Sequence, residues 1–210
     1  MSAVIETERI LREEYSGSPK DQNENIMSAV ISLASRSISE ESVENILRDA
    51  LRNVHRLFDF QDVAIALKDR DGMFRYKVQL GLSAEAEKKY FEIVYSPEDL
   101  FDDTYFPSTA VSEVTRFYMS ENAPYKSDEV GSYGRPMHIA DKRMMANDMV
   151  EGDYIDIYIR DWKNEVIGYF ELAATRSKKL PTRDTIRWVE LIATLLGMLI
   201  SKRATEVKGG

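Results

Sequence analysis

Between Tyr154 and Ile159 the side chains alternate: Ile155, Ile157 and Ile159 fall on one side and Tyr154, Asp156 and Tyr158 on the other. That is the period-two signature of a strand with one aliphatic face. Asp161-Trp162-Lys163-Asn164 follows; Asp and Asn tolerate the backbone angles of a tight turn, so the chain is predicted to return as a second strand over Val166 to Ala174. After a loop ending in Leu180-Pro181 the period changes. Ile186, Val189, Ile192, Leu195, Leu196, Leu199 and Ile200 recur at helical spacing, with Thr182 or Asp184 as the cap. Trp188, Leu191 and Met198 widen that stripe beyond what one sheet needs. Such a helix either is sandwiched in a core or meets a second copy of itself. Arg187 and Glu190 interrupt the apolar run, which is too short for a membrane span.

Upstream, a short amphipathic helix is expected over Val4 to Tyr15, ended by Ser16-Gly17-Ser18-Pro19. Ile26, Met27, Val30, Ile31, Leu33 and Ala34 give a second helical stripe within 23–38, and Ser39-Glu40-Glu41-Ser42 opens a third helix with carboxylates where the helix dipole favours them. That third helix carries Val43, Ile46, Leu47, Ala50, Leu51, Val54 and Leu57 on one side, for packing on a sheet. Val63, Ile65 and Leu67 alternate with Ala64 and Ala66 in a strand from Asp62 to Lys68, and Asp69-Arg70-Asp71-Gly72 turns it back into a strand from Met73 to Leu80. Ser83 is expected to cap a helix over Ala84 to Val94, closed by Tyr95-Ser96-Pro97. Beyond Asp99 the pattern loses its period. Ser112 to Ser120 is read as a strand, with a helix as the alternative, and Met137 to Ala140 as a short strand; Asp141 to Gly152 is a charged, methionine-rich loop or helical turn. The order describes an α+β domain, an antiparallel sheet flanked by N- and C-terminal helices. It divides into a helical extension over 1–38 and a main domain over 39–205.

Composition narrows the function. Lys plus Arg number 28 against 36 for Asp plus Glu, a formal charge of −8, and no basic block marks a nucleic-acid footprint. With 0 Cys there is no disulfide framework, no thiolate nucleophile and no cysteine anchor for a chromophore. The opening MSAVIETERILREEY is charged and lacks the apolar core of a signal peptide, so a cytoplasmic location is expected.

The stretches ESVENILRDALRNVHRLFDFQDVAIALKDRDG, DYIDIYIRDWKNEVIGYFELAAT and IRWVELIATLLGMLISKRA together resemble a GAF domain, the sensory module of many prokaryotic signalling proteins. They are similar to its opening helix, its late hairpin and its closing helix, over about Glu41 to Arg203; the wording of the second half is closest to GAF-like regions of archaeal regulators. A PAS domain shares the topology in outline and is the structural alternative. The resemblance implies a ligand pocket between one sheet face and the irregular segments, with the terminal helices on the other face. It assigns Ile155, Ile157 and Ile159 to the helix-covered face and turns Asp156, Tyr158, Tyr169 and Glu171 toward the pocket. Arg116, Tyr118, Tyr133, Arg135 and His138 lie on covering segments and complete the candidate ligand contacts. The Asn-Lys…Phe…Asp-Glu signature of cyclic-nucleotide-binding members is absent, and bilin attachment and GAF-type methionine sulfoxide reduction both need a Cys that this chain lacks.

No cofactor is specified by these patterns. His55 reads as a surface or interface residue, and neither it nor His138 has carboxylates at metal-ligand spacing. Met144, Met145 and Met149 line an adaptable pocket or belong to a loop. Asp156 and Glu171 form a catalytic carboxylate pair less often than they are simply hydrogen-bonded, and no nucleophile or phosphate-cradling loop stands out. The expected function is a non-enzymatic module that senses a small molecule and signals through dimeric terminal helices to an output domain or partner. No output element follows the long helix before Lys208-Gly209-Gly210, so the expectation includes a fragment of a larger regulator or one acting through partners. The alternative is a ligand-free dimerisation scaffold whose pocket is filled by its own side chains.

Overall fold

The computed structural model describes residue 9 and residues 21–36, 41–122 and 143–206. A 7-stranded antiparallel sheet, in the order β3-β2-β1-β7-β6-β5-β4, organises it. Its strands are β1 (Phe60–Lys68), β2 (Phe74–Leu80), β3 (Val94–Tyr95), β4 (Thr109–Ala110), β5 (Thr115–Tyr118), β6 (Tyr154–Arg160) and β7 (Val166–Thr175). The helices are α1 (Gln22–Ser35), α2 (Val43–Leu57), α3 (Ala84–Tyr90), α4 (Pro97–Phe101) and α5 (Arg183–Glu206).

Both expected hairpins form. At the β6–β7 turn the Asn164 amide donates to the Asp161 carbonyl at 2.9 Å, and Asn164 adopts the left-handed φ of 67° that Asn accommodates readily. Caps fix where helices begin: the Asp21 carboxylate accepts from the Glu24 amide, the Ser42 hydroxyl from the Asn45 amide and the Thr182 hydroxyl from the Thr185 amide. Ser96 and Asp99 form a reciprocal capping box on α4, with Pro97 in its first turn.

The helices α1, α2 and α5 cover one sheet face. Ile46, Leu47, Leu51 and Val54 of α2, Val189, Ile192 and Leu196 of α5, and Ile26 and Leu33 of α1 join Ile155, Ile157, Ile159, Phe170 and Leu172 in one apolar cluster. Each fully buried aliphatic or aromatic side chain there contributes roughly 1.5–3 kcal/mol. At Gly197 a Cβ would run into the Arg160 carbonyl, so α5 touches the end of β6 backbone to backbone at a point where a side chain does not fit.

Several boundaries differ from the sequence reading. The helix expected over Ala84 to Val94 stops at Tyr90, because Val94 and Tyr95 pair with Arg75 and Phe74 as an edge strand; strand formers beside an open sheet edge override local helical spacing. The strand expected over Ser112 to Ser120 shrinks to Thr115–Tyr118. There the Ser112 hydroxyl accepts from the Val114 and Thr115 amides, closing a serine turn instead of extending the ladder. Met27 and Ile31 of α1 are 52% and 59% exposed, so the stripe read there exceeds what this chain buries. Most of the helix expected over Val4 to Tyr15, and all of the strand expected over Met137 to Ala140, lie outside the described residues. No described helix is long and apolar enough to cross a membrane.

Candidate functional site

The other sheet face is built from the alternate residues of the same strands, and it is aromatic and charged. Register aligns its side chains in rows. Arg116, Asp156, Glu171, Ala64 and Gln79 follow one another across β5, β6, β7, β1 and β2. On one side of that row run Tyr158, Tyr169, Ala66 and Tyr76; on the other, Tyr118, Tyr154, Ala173 and Asp62. A bulge between Ile65 and Ala66 resets the β1–β2 register, so that Tyr76 and Gln79 both lie opposite residues of this face.

Asp156 and Glu171, directly paired on neighbouring strands, are 2% and 5% exposed. Burying carboxylates demands partners. The Tyr76 and Tyr90 hydroxyls each donate to one oxygen of Glu171 at 2.6 Å, and the two rings lie against each other with centroids 4.0 Å apart. This clamp fixes the carboxylate's orientation before any ligand arrives. Burial, reinforced by the Glu171 charge, pushes the Tyr76 phenol well above its ordinary range, which keeps its proton on the donor. Burial and then Asp156 push Tyr158 up to about 12; its hydroxyl donates to the Leu100 carbonyl at 3.0 Å. Tyr118 and Tyr169 are raised as well, chiefly by burial and next by Asp156.

Two halves of this face differ in packing. Toward β5 and α4 the rings close on one another: Tyr118 stacks on Tyr154 at 4.4 Å and Phe101 meets Tyr158 edge-on at 5.5 Å. At the other end, where Ala64 and Ala173 leave the floor low, a cavity of about 350 Å³ opens. Its walls include Asp62, Gln79, Tyr90, Glu171 and Lys178, and the segment Met149 to Asp153. That segment is pinned from behind. Both oxygens of Asp153 lie 3.0 Å from the Arg143 guanidinium, and they also accept from the Ser120 and Val150 amides. Ala174 and Lys178 in the wall hold left-handed φ values of 47° and 56°, strained for residues with a Cβ. Carboxylate, amide, phenol and ammonium groups around a small-molecule-sized space suit a polar ligand held by several hydrogen bonds. Among the described residues no group of His, Cys, Asp and Glu could hold a metal ion.

Of the sequence-derived candidates, the structure brings Arg116, Asp156, Glu171, Tyr118, Tyr158 and Tyr169 onto one face. Only Glu171 among them lines the cavity. Tyr133, Arg135 and His138 lie outside the described residues. Met149 is buried in the cavity wall, whereas Met144 and Met145 are 84% and 61% exposed. Sequence reasoning missed Tyr76, Tyr90, Asp62, Gln79 and Lys178. The alternation of Phe74 with Tyr76 in β2 signalled the first of these, but nothing local marked Tyr90 or Lys178.

A polar link joins this sheet to α5. Glu190, 8% exposed, accepts through Oε1 from the Ser112 hydroxyl at 2.5 Å and the Thr115 hydroxyl at 2.7 Å, and through Oε2 from Arg187 at 2.7 Å. Burial pushes the Glu190 carboxyl up, but these bonds together outweigh it and hold the group below its ordinary value. Thr115 faces α5 while its neighbour Arg116 pairs with Asp156 in the carboxylate row.

Neither a protein-family model nor a curated protein sequence matches the chain. Solved structures do. The GAF domain of a phosphoenolpyruvate-protein phosphotransferase from Coxiella burnetii aligns at 9% identity over 88% of this chain and 96% of that one, with a TM-score of 0.56. The A. aeolicus nlh2 GAF domain in an inactive state aligns at 12% identity over 87% and 99%, with a TM-score of 0.55. Residues 122 to 287 of a methyl-accepting chemotaxis protein align at 15% identity over 85% and 99%, with a TM-score of 0.51. At such identities the likeness concerns architecture: this chain has the fold of a GAF domain.

Proposed function

We propose that the chain is a small-molecule-sensing regulatory module of the GAF type, acting in cytoplasmic signal transduction without a catalytic step of its own. The observation that carries this reading is the cavity of about 350 Å³ against Glu171, whose carboxylate is already oriented by Tyr76 and Tyr90. The similar structures support the setting, since one belongs to a methyl-accepting chemotaxis protein. On this reading α5 and α1 pair with those of a second copy through Leu191 and Met198, which are 40% and 61% exposed, and through Met27 and Ile31. Leu191 and Met198 lie seven residues apart, at the spacing of a coiled-coil seam. Ligand binding shifts the helix arrangement only as far as the ligand binds the two arrangements with different affinity.

The packed half of the face favours a second reading. Tyr118, Tyr154, Tyr158 and Phe101 fill it with the protein's own rings, as a ligand-free dimerisation scaffold would. Native mass spectrometry of gently purified protein, compared with the denatured sample, separates the two. The sensor reading expects a dimer carrying a small-molecule increment that is lost on denaturation and on Glu171→Leu substitution. A bare dimer that takes up nothing from a metabolite extract supports the scaffold. A bare monomer, unchanged by Leu191→Glu with Met198→Glu, overturns the paired-helix mechanism.

A further inference from the structure

On the helical side of the molecule, separated from the sheet cavity by Leu80, which lines both, α1 and α2 enclose an open groove of about 650 Å³. We infer that this groove is a second binding site, for a small anion bearing a diphosphate or polyphosphate group. The inference goes beyond the sensor reading and does not rest on it.

Charge is the first argument. The chain carries a formal −8, yet Arg36, Arg52 and Arg56 line the groove against the single carboxylate of Asp49. The lining itself carries 3 − 1 = +2, and Glu41, just outside it and 3.4 Å from the Arg36 guanidinium, brings the local sum to +2 − 1 = +1. Arg176 adds another cation at its end, with its guanidinium 3.2 Å from Nε2 of His55, a further lining residue. A basic concavity on an acidic surface concentrates anions locally.

Geometry is the second. The Asp49 carboxylate is shared across the two helices. Its Oδ2 lies 2.5 Å from the Arg36 guanidinium at the end of α1, and its Oδ1 lies 3.1 Å from that of Arg52 on α2. One carboxylate thus orients two guanidiniums; Arg36 also meets the Glu41 carboxylate at 3.4 Å, whereas Asp49 is the one ion-pair partner of Arg52 among the described residues, and a guanidinium has five N–H groups to offer. Arg56 lies one turn beyond Arg52 on the same side of α2, and it makes no ion pair or hydrogen bond among the described residues. The Arg52 side chain is 62% exposed, so an anion reaches it without any opening of the fold. Across the groove Ser28 and Ser32, one turn apart on α1, add hydroxyl donors.

The donor set selects the ligand class. Forked guanidiniums from two helices match the several oxygens of linked phosphates, which a single carboxylate does not span. The volume falls within the usual range of small-molecule sites. Apart from Ala29 and Leu80 the lining is polar, which suits a phosphate group more than an apolar body. Bound there, the anion ties Arg36 at the end of α1 to Arg52 and Arg56 on α2.

Isothermal titration of the full chain with inorganic pyrophosphate, and in parallel with inorganic phosphate, tests this. The expected result is saturable binding at one site per chain, tighter for pyrophosphate. Arg52→Ala and Arg56→Ala should each weaken it by about tenfold, the loss of one charge-assisted contact. Arg75→Ala, which removes an arginine of the β1–β2 hairpin remote from the groove, should leave the affinity unchanged. All of these side chains are solvent-accessible, and the thermal midpoint of each variant verifies folding. Absence of saturable binding overturns the proposal. So does an equal loss in Arg75→Ala, which would mark general electrostatic attraction, and so does full affinity retained in the folded Arg56→Ala variant.

Discussion

The two faces of one sheet are made from alternate residues of the same strands, and they do opposite things. On the helix side Ile155, Ile157, Phe170 and Leu172 bury almost completely in an aliphatic core that satisfies itself. On the other side Asp156 and Glu171 are buried nearly as deeply, but each needs partners to be tolerated. The first face is cheap to specify and insensitive to detail beyond volume. The second depends on particular hydrogen bonds, and the strands between them tie its fate to the first.

The largest effect should follow from Phe170→Ala. Phe170 is 0% exposed at the centre of the aliphatic core, so the truncation should cost about 3–5 kcal/mol in urea or guanidinium unfolding. Its neighbour in sequence should behave differently. Glu171→Gln keeps the volume and loses the charge that strengthens two tyrosine hydrogen bonds; the expected cost is about 2 kcal/mol, with near-ultraviolet circular dichroism reporting the disturbed tyrosines. If the two substitutions cost the same and perturb the same signal, the division between the faces fails.

The smallest effect is confined to acid pH. Glu190 titrates below its ordinary value of 4.5 in the folded protein, so its contribution is fully present above that value and is lost as pH falls through the folded value. Stability measured by denaturant between about pH 6 and about pH 3 should therefore decline less steeply in Glu190→Gln than in the parent. An unchanged slope would remove Glu190 from the acid response and with it the polar link between α5 and β5.

The fold was largely legible because its strongest elements are periodic. The alternation of Ile155, Ile157 and Ile159 identifies both the strand and the face that meets the helices, and the stripe from Ile186 to Ile200 identifies α5. What escaped depends on tertiary structure. Tyr90 ends a helix whose length is set by β3 pairing with β2, and Lys178 reaches the cavity from a left-handed position in a loop. The face of Asp156 and Tyr158 was legible; that one half of it closes and the other opens was not. The difference lies in Ala64 and Ala173, small residues whose importance is the space they leave, together with loop residues far away in sequence.

The bare contact between Gly197 and the Arg160 carbonyl has a mechanical consequence. Glu190 grips the Ser112–Thr115 turn seven residues earlier, about 10 Å along the helix axis. The Arg160 guanidinium in turn holds the Glu113 carbonyl at 3.0 Å, which closes a triangle between helix, strand end and turn. Two fixed points on a rod leave it neither axial travel nor pitch relative to the sheet. Leu191 and Met198, each one residue past a fixed point and 40% and 61% exposed, therefore follow the sheet: a warp of β5 and β6 is carried without slack to the exposed side of the helix.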